Sequence, residues 1–198
     1  VHDTITVIAS GWSAGSERKP PKGIGHIIGV NDAGLIAGCD DLVSMDRLYV
    51  EHRWPQIKAR AELAWLRRSA LKNISDRPAW LKVFDNDHTS TEPSTEYGRL
   101  NGTSSGMCAL NLALMALPKR IVLIGFDMNR SPDGRAYWHA PYEWTKAEGA
   151  TSGGKYKAWA GQFGAFAAGC RDVGIEVLNT SLTSAITAFP KMALEKLR

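Results

Sequence analysis

The chain has little from which a covalent or zinc-held scaffold could be built. Its three cysteines, Cys39, Cys108 and Cys170, are odd in number and show no Cys-x-x-Cys spacing. Each lies among apolar or small residues, which argues for buried thiols in a reducing compartment over disulfides or zinc ligands. No apolar stretch reaches the roughly 18 residues that a membrane span needs. The N-terminal residues show no basic segment followed by an apolar one, as a secretory signal would, so a cytoplasmic location is expected. Two nucleotide signatures are also missing. The Gly/Ser loop at residues 10–16 has neither the G-x-G-x-x-G spacing of a dinucleotide fold nor the Gly-Lys of a P-loop. There is no internal repeat and no low-complexity tract.

What is present suits one packed domain. A length of 198 residues with 44% hydrophobic and 22% charged residues is enough for a single core and short for two, so residues 1–198 are expected to form one unit. The formal net charge of +4 and a pI near 9.0 favour an anionic ligand or partner without selecting nucleic acid over a nucleotide. The densest basic run, Lys58, Arg60, Arg67, Arg68 and Lys72 around Trp65, has helical spacing and reads as a solvated helix face.

The most informative segment is 101–127, which reads as a small-residue loop, a helix, a buried strand and a carboxylate. Thr103, Ser104, Ser105 and Gly106 offer hydroxyls and amides at a helix start, where unpaired N–H groups and the positive dipole end favour an anion. Leu110, Leu112, Leu114 and Leu117 make an apolar helix that Pro118 ends, and Ile121 to Ile124 form an all-apolar strand. Such a strand is covered on both faces, so Gly125, Phe126 and Asp127 should emerge at its carboxyl end, where open α/β sheets bind ligands.

Further strands are predicted at 4–9, 26–30, 42–45, 79–84 and 175–178, with helices over 51–72, interrupted or restarted at Pro55, and over 155–173. The first strand runs into the Gly/Ser loop, the second ends in Asn31-Asp32, and the third ends at Asp46. The Ser/Thr/Gly-rich connection 88–105 is longer than ordinary loops, which suits a binding role. Alternating strands and helices imply a single Rossmann-like, doubly wound, mostly parallel α/β sheet.

The succession Thr103-Ser104-Ser105-Gly106-x-x-Ala109, Ala113, Lys119 to Asp127, followed by the final strand and turn at 177–184, resembles the bacterial sialyltransferases of glycosyltransferase family 42. It also resembles uncharacterised phage and prophage proteins that share their core. The resemblance implies inverting transfer of a sialic acid from a CMP donor, on a Rossmann-like domain, without a required metal. Carried across by position, Ser10, Gly11 and Ser13 would lie along the nucleotide. Asn31 and Asp46 would be near the ribose, phosphate or donor sugar. Thr103, Ser104 and Ser105 would contact the phosphate or the donor carboxylate, and Gly125, Phe126 and Asp127 would flank base and ribose. The first loop departs from the family's G-N-G-P-S form, and Asp46 stands where the family has Asn.

Inverting transfer needs a base for the acceptor hydroxyl and donors for the departing phosphate. The run Tyr137-Trp138-His139-Ala140-Pro141-Tyr142 could supply both, His139 as the base and Tyr137 and Tyr142 as hydroxyl donors. The resemblance places its catalytic His and leaving-group tyrosines in this stretch. Equally, His139 could simply pack beside Trp138. Residues 129–154, rich in glycine and aromatics, suit a lid. A competing motif is Asp85-Asn86-Asp87, of the D-x-D form that holds Mg²⁺ or Mn²⁺ against a nucleotide diphosphate. That motif would matter most for the enzyme alternative, an ATP- and Mg²⁺-dependent pterin diphosphokinase-like protein. The non-enzyme alternative is a basic phage protein binding nucleotide or nucleic acid. Fold alone does not choose among them.

Overall fold

The computed structural model describes residues 2–15, 22–90, 92–144 and 153–197. Seven short segments rich in aliphatic residues form strands: β1 (Thr4–Ile8), β2 (His26–Val30), β3 (Asp41–Ser44), β4 (Leu63–Arg67), β5 (Leu81–Phe84), β6 (Arg120–Ile124) and β7 (Glu176–Asn179). They make one sheet in the order β5-β4-β3-β2-β1-β6-β7, and every neighbouring pair is parallel. The chain adds strands outward from β1 to β5, then crosses back to lay β6 against the free side of β1. The order reverses there, which is where open α/β sheets place a ligand cavity.

Among the described residues the α-helices are α1 (Asp32–Ala37), α2 (Arg47–Arg60), α3 (Ser105–Met115) and α4 (Gly153–Asp172). Side chains alternate across a strand, so each strand serves two cores. Ile5, Val7, Val43, Trp65, Ile121 and Leu123 are buried with α3 and with Phe163 and Phe166 of α4. The intervening residues face the other way: Leu42, Ala64 and Leu66 meet Tyr49, Val50, Trp54 and Ile57 of α2, and Ile8, Val122 and Ile124 meet Ala33 and Trp138. The doubly wound α/β arrangement expected from the sequence is therefore present. Among the described residues no helix is long and apolar enough to cross a membrane.

Two local expectations are corrected. The helix expected over 51–72 ends at Arg60, where the Ala61 N–H donates to Ile57 O, and residues 63–67 form β4. Leu63-Ala64-Trp65-Leu66-Arg67 is read by period two, with Ala64 and Leu66 under α2 and Trp65 on the α3 side. The basic run around Trp65 is therefore split between a helix end, a strand and a 3-10 turn (Arg68–Leu71). Pro55 lies inside α2 without ending it. The second correction is α1, a short helix between β2 and β3 for which the sequence offered no recognised signal. The long connection before α3 is held by buried Asn111, whose Oδ1 accepts from the Ser94 and Asn101 N–H groups, both at 2.8 Å.

Candidate functional site

A cavity of about 510 Å³ opens over the carboxyl ends of β6, β1, β2, β3 and β4. Ser10 and Gly11 reach it after β1, Asn31 after β2, Asp46 after β3, and Gly125, Phe126 and Asp127 after β6. Thr103, Ser104, Ser105 and Gly106 form its wall at the start of α3, and Tyr137 and Tyr142 close another side. Every donor-site residue named from the sequence lines this one space except Ser13, and both candidate leaving-group tyrosines do.

Past β1 and β6 the two segments stay in close backbone contact under the cavity. The Gly11 N–H donates to Gly125 O at 3.0 Å. A Cβ on Gly11 would lie 2.3 Å from that oxygen and 2.4 Å from Asp127 Oδ2. Gly125 itself has φ of 74°, a region that side-chain-bearing residues avoid. Asp127 is buried, and its carboxylate is already engaged. The Ser13 and Ser181 hydroxyls donate to Oδ1, and the Ser13 N–H donates to Oδ2 at 2.9 Å. Its backbone oxygen accepts from Ala185 N–H at 2.7 Å. Asp127 thus ties together the β1 loop, the end of β6 and the turn after β7. Ser13 acts through this carboxylate rather than by facing the cavity. Nothing local in the sequence marks Ser181, since only the fold brings that turn beside Asp127.

The wall at α3 presents hydroxyls and first-turn N–H groups. Ser104 is the N-cap, accepting from Met107 N–H at 3.3 Å, and Ser105 Oγ accepts from Met45 N–H at 3.0 Å. A hydroxyl that accepts still has its own proton to donate. The N–H groups of Ser105 and Gly106 lie in the first turn, where no intrahelical acceptor exists. Thr103 is held by Gln162 of α4, to which its hydroxyl donates.

Asn31 adopts φ 52° and ψ −139°, strained for a non-glycine residue by about 1–3 kcal/mol. Its Oδ1 is buried without a hydrogen-bond partner. Asp46 caps α2, its Oδ1 accepting from Tyr49 N–H at 3.2 Å. Asp32, beside the site, is paired with Arg53, whose Nε and Nη2 donate to Oδ1 and Oδ2, each at 3.1 Å.

An isolated antiparallel bridge joins Tyr137 to Gly11. Trp138 turns into the core, where its Nε1 donates to Ala9 O at 3.1 Å. Tyr137 and His139 therefore share the opposite face of this extended stretch, and their rings stack at 5.4 Å. His139 is 8% exposed and lies behind the two tyrosines rather than on the cavity wall. Its Nδ1 is 2.8 Å from Ala140 O, a contact that requires the proton on Nδ1 and leaves Nε2 with the lone pair. Nε2 is buried without a partner. Burial holds the His139 imidazole below its ordinary pKa, so it is neutral at pH 7. Burial, with Asp32 and Tyr137 nearby, pushes the Tyr142 phenol up, keeping it protonated and able to donate. Tyr142 also stacks on Trp144 at 4.9 Å, and Trp144 stacks on His52 of α2 at 4.4 Å. Of the segment 129–154 expected to form a lid, residues 145–152 lie outside the described residues.

Asp85 and Asp87 are not brought to this cavity. Asp85 follows the edge strand β5, and the exposed Arg68 donates to both of its oxygens, at 2.8 and 2.9 Å. Arg68 holds the Asp85 carboxyl below its usual range. Asp87 closes a turn by accepting from Thr89 N–H at 2.9 Å and Thr89 Oγ1 at 2.7 Å. Among the described residues no group of three His, Cys, Asp or Glu side chains is arranged to hold a metal ion.

No protein-family model matches the sequence, and no curated protein sequence matches it significantly. The fold does have solved counterparts. The MAf glycosyltransferase from Magnetospirillum magneticum AMB-1 superimposes with a TM-score of 0.60 at 13% identity, over 100% of this chain and 34% of that one. The chain thus spans about a third of that protein's length. The sialyltransferase CstII from Campylobacter jejuni, solved with the substrate analogue CMP-3FNeuAc, superimposes with a TM-score of 0.54 at 12% identity, over 98% of this chain and 86% of that one. At these identities the likeness is one of fold.

Proposed function

We propose that the chain is a nucleotide-sugar-dependent glycosyltransferase that uses a CMP-linked donor and transfers with inversion. The observation that carries this reading is the cavity at the sheet's switch point. It joins a glycine-on-glycine backbone contact, a hydroxyl-lined helix start and two tyrosines. The shared fold with two glycosyltransferases, one of them solved with a CMP-sugar analogue, supports it.

In this reading the base and ribose lie over the Gly11–Gly125 backbone contact, at the switch point of the sheet. The phosphate rests at the start of α3, against the Ser104 and Ser105 hydroxyls and the first free amides. The acceptor hydroxyl attacks the anomeric carbon and forms the new glycosidic bond while the bond to the phosphate oxygen breaks. The phosphate leaves with that electron pair, stabilised by hydrogen bonds from Tyr137 and Tyr142. The acceptor's proton goes to a base, and His139 is the residue suited to it: neutral, with its Nε2 lone pair unused. It sits one layer behind the tyrosines, so the role requires the Ala136–Tyr142 stretch to tighten onto bound substrates, as catalytic contacts do in ligand complexes. No step calls for the carboxylates of Asp85 and Asp87, and a metal is not part of the proposed reaction.

A thermal-shift panel of CMP, CDP, UDP, GDP and ATP, each with and without Mn²⁺, tests the nucleotide first. Selective stabilisation by CMP without metal supports the reading. A shift confined to ATP with a divalent ion would favour the diphosphokinase-like alternative.

A further inference from the structure

Tyr142 stands on the cavity wall, yet neither a helix nor a strand carries it: residues 140–144 are turn and irregular backbone. A side chain on such a segment is placed by what it packs against. Two residues on, the Trp144 ring lies against the Tyr142 ring at 4.9 Å and 11°, and both pack on the apolar cluster under α2. Trp144 itself does not line the cavity.

The indole is gripped from α2. The His52 ring stacks on it at 4.4 Å and 5°, and the Arg53 guanidinium sits 4.8 Å from its centroid. Near-parallel stacks and a cation over an indole each contribute beyond the area they bury. Arg53 in turn is fixed by the fork it makes to Asp32, which is buried and follows the cavity residue Asn31. The far end of the Tyr142 ring is its hydroxyl, which meets Ser10 of the β1 loop and the Asp32 backbone N–H. Different elements therefore set the two: Trp144 sets the ring plane from α2, and the loop after β1 with the start of α1 sets the hydroxyl.

We propose that Trp144 is a positioning residue for the transfer: it touches no ligand, and by stacking on Tyr142 it holds that phenol at the angle from which its hydroxyl donates to the donor's phosphate oxygen. His52 and Arg53 hold Trp144 to α2 to the same effect. This rests on the glycosyltransferase reading and adds to it a residue that acts only through Tyr142. A phenol already oriented need not be ordered by the incoming phosphate, so the hydrogen bond forms without a further loss of rotamer freedom.

Calorimetric titration of the whole chain with CMP tests this through a double-variant cycle of wild type, Tyr142→Phe, Trp144→Leu and the pair. Tyr142→Phe removes a hydrogen bond to a charged group and is expected to weaken CMP roughly 10- to 100-fold. Trp144→Leu keeps apolar bulk but not the plane and is expected to weaken it about 3- to 10-fold. Trp144→Phe, which keeps a stacked ring, should bind within about twofold of wild type. In the Tyr142→Phe background Trp144→Leu should change CMP affinity by less than about twofold, because no hydroxyl is left to aim. Circular dichroism reports folding, and if Trp144→Leu does not fold, His52→Ala takes its place in the cycle. Additive losses would make Trp144 a general support of the fold, and a Trp144→Leu chain that binds CMP like wild type would give it no part; either result overturns the inference alone. Wild-type affinity in Tyr142→Phe would overturn it too, while leaving the CMP donor standing. A folded wild type that does not bind CMP would overturn the CMP-donor reading and the inference together.

Discussion

Replacing Asp127 with Asn separates a structural carboxylate from a ligand-binding one. In the folded chain Oδ1 takes the Ser13 and Ser181 hydroxyls and Oδ2 takes the Ser13 N–H. An amide fits this arrangement in neither orientation. With its nitrogen at the Oδ2 position, it points a donor at the Ser13 N–H. With its nitrogen at Oδ1, both hydroxyls must turn round. The loss combines a hydrogen bond to a charged group, ~1.5–3 kcal/mol, with a buried donor left unsatisfied, ~1–3 kcal/mol, and the expected destabilisation is about 2.5–6 kcal/mol. In a chain of this size that lowers Tm by roughly 5–24 °C, at about 2–4 °C per kcal/mol. The assay is thermal unfolding without ligand, followed by nucleotide titration at a temperature where the variant is folded. A Ser181→Ala variant should lose less, and the double variant should be less than additive, because the two side chains share one bond. If Asp127→Asn leaves Tm within about 2 °C while nucleotide affinity collapses, the carboxylate touches the ligand and the structural reasoning is wrong.

Other consequences are as direct. Ser104→Ala with Ser105→Ala should weaken nucleotide binding by about 1–3 kcal/mol, and should also lower stability by about 1 kcal/mol because Ser104 caps α3; calorimetry and thermal unfolding read the two effects separately. Burial holds His139 below the ordinary histidine value of 6.5. The unfolded state therefore binds the proton more readily, and the stability this gives is present above pH 6.5 and lost as pH falls below it. Wild type should accordingly lose more Tm between pH 7 and about 5 than His139→Phe does, and identical slopes would show that the buried imidazole does not set this dependence. As a base, His139→Ala should lower turnover ~10²–10⁴-fold with CMP affinity nearly unchanged. EDTA and Asp85→Ala should leave CMP binding unchanged, since that carboxylate serves Arg68 at the sheet edge; loss restored by Mn²⁺ would point to D-x-D chemistry.

How much of this was legible in the sequence follows from where each signal lies. The aliphatic runs of β1, β2, β6 and β7 carry their own strand signal, and in a parallel sheet the residues just after such strands sit at the ligand face. That is why Gly11, Asn31 and Gly125 could be named in advance. β4 could not, because only Ala61 and Glu62 separate it from α2. The basic side chains on either side keep helical spacing, and no Gly or Pro marks the boundary. Missing β4 also hid Arg67, which as part of a helix face reads as solvated and as the end of a strand reads as a cavity residue. α1 was hidden by its length and by Gly34, a weak helix former. The fold needs glycine there, since a Cβ would lie 2.8 Å from Gly29 Cα. Asp127 was found by its position after β6, but the three bonds that occupy it come from residues far away in sequence. His139 was named for its chemistry alone, and only the structure shows the tyrosines in front of it.

A crystal structure of the chain with CMP-3FNeuAc tests the central claim most directly. The expected result is the cytidine over the Gly11–Gly125 contact and the phosphate at the Ser104–Ser105 end of α3, within reach of Tyr137 and Tyr142. A ligand bound outside this cavity, or a phosphate held away from α3, would contradict it.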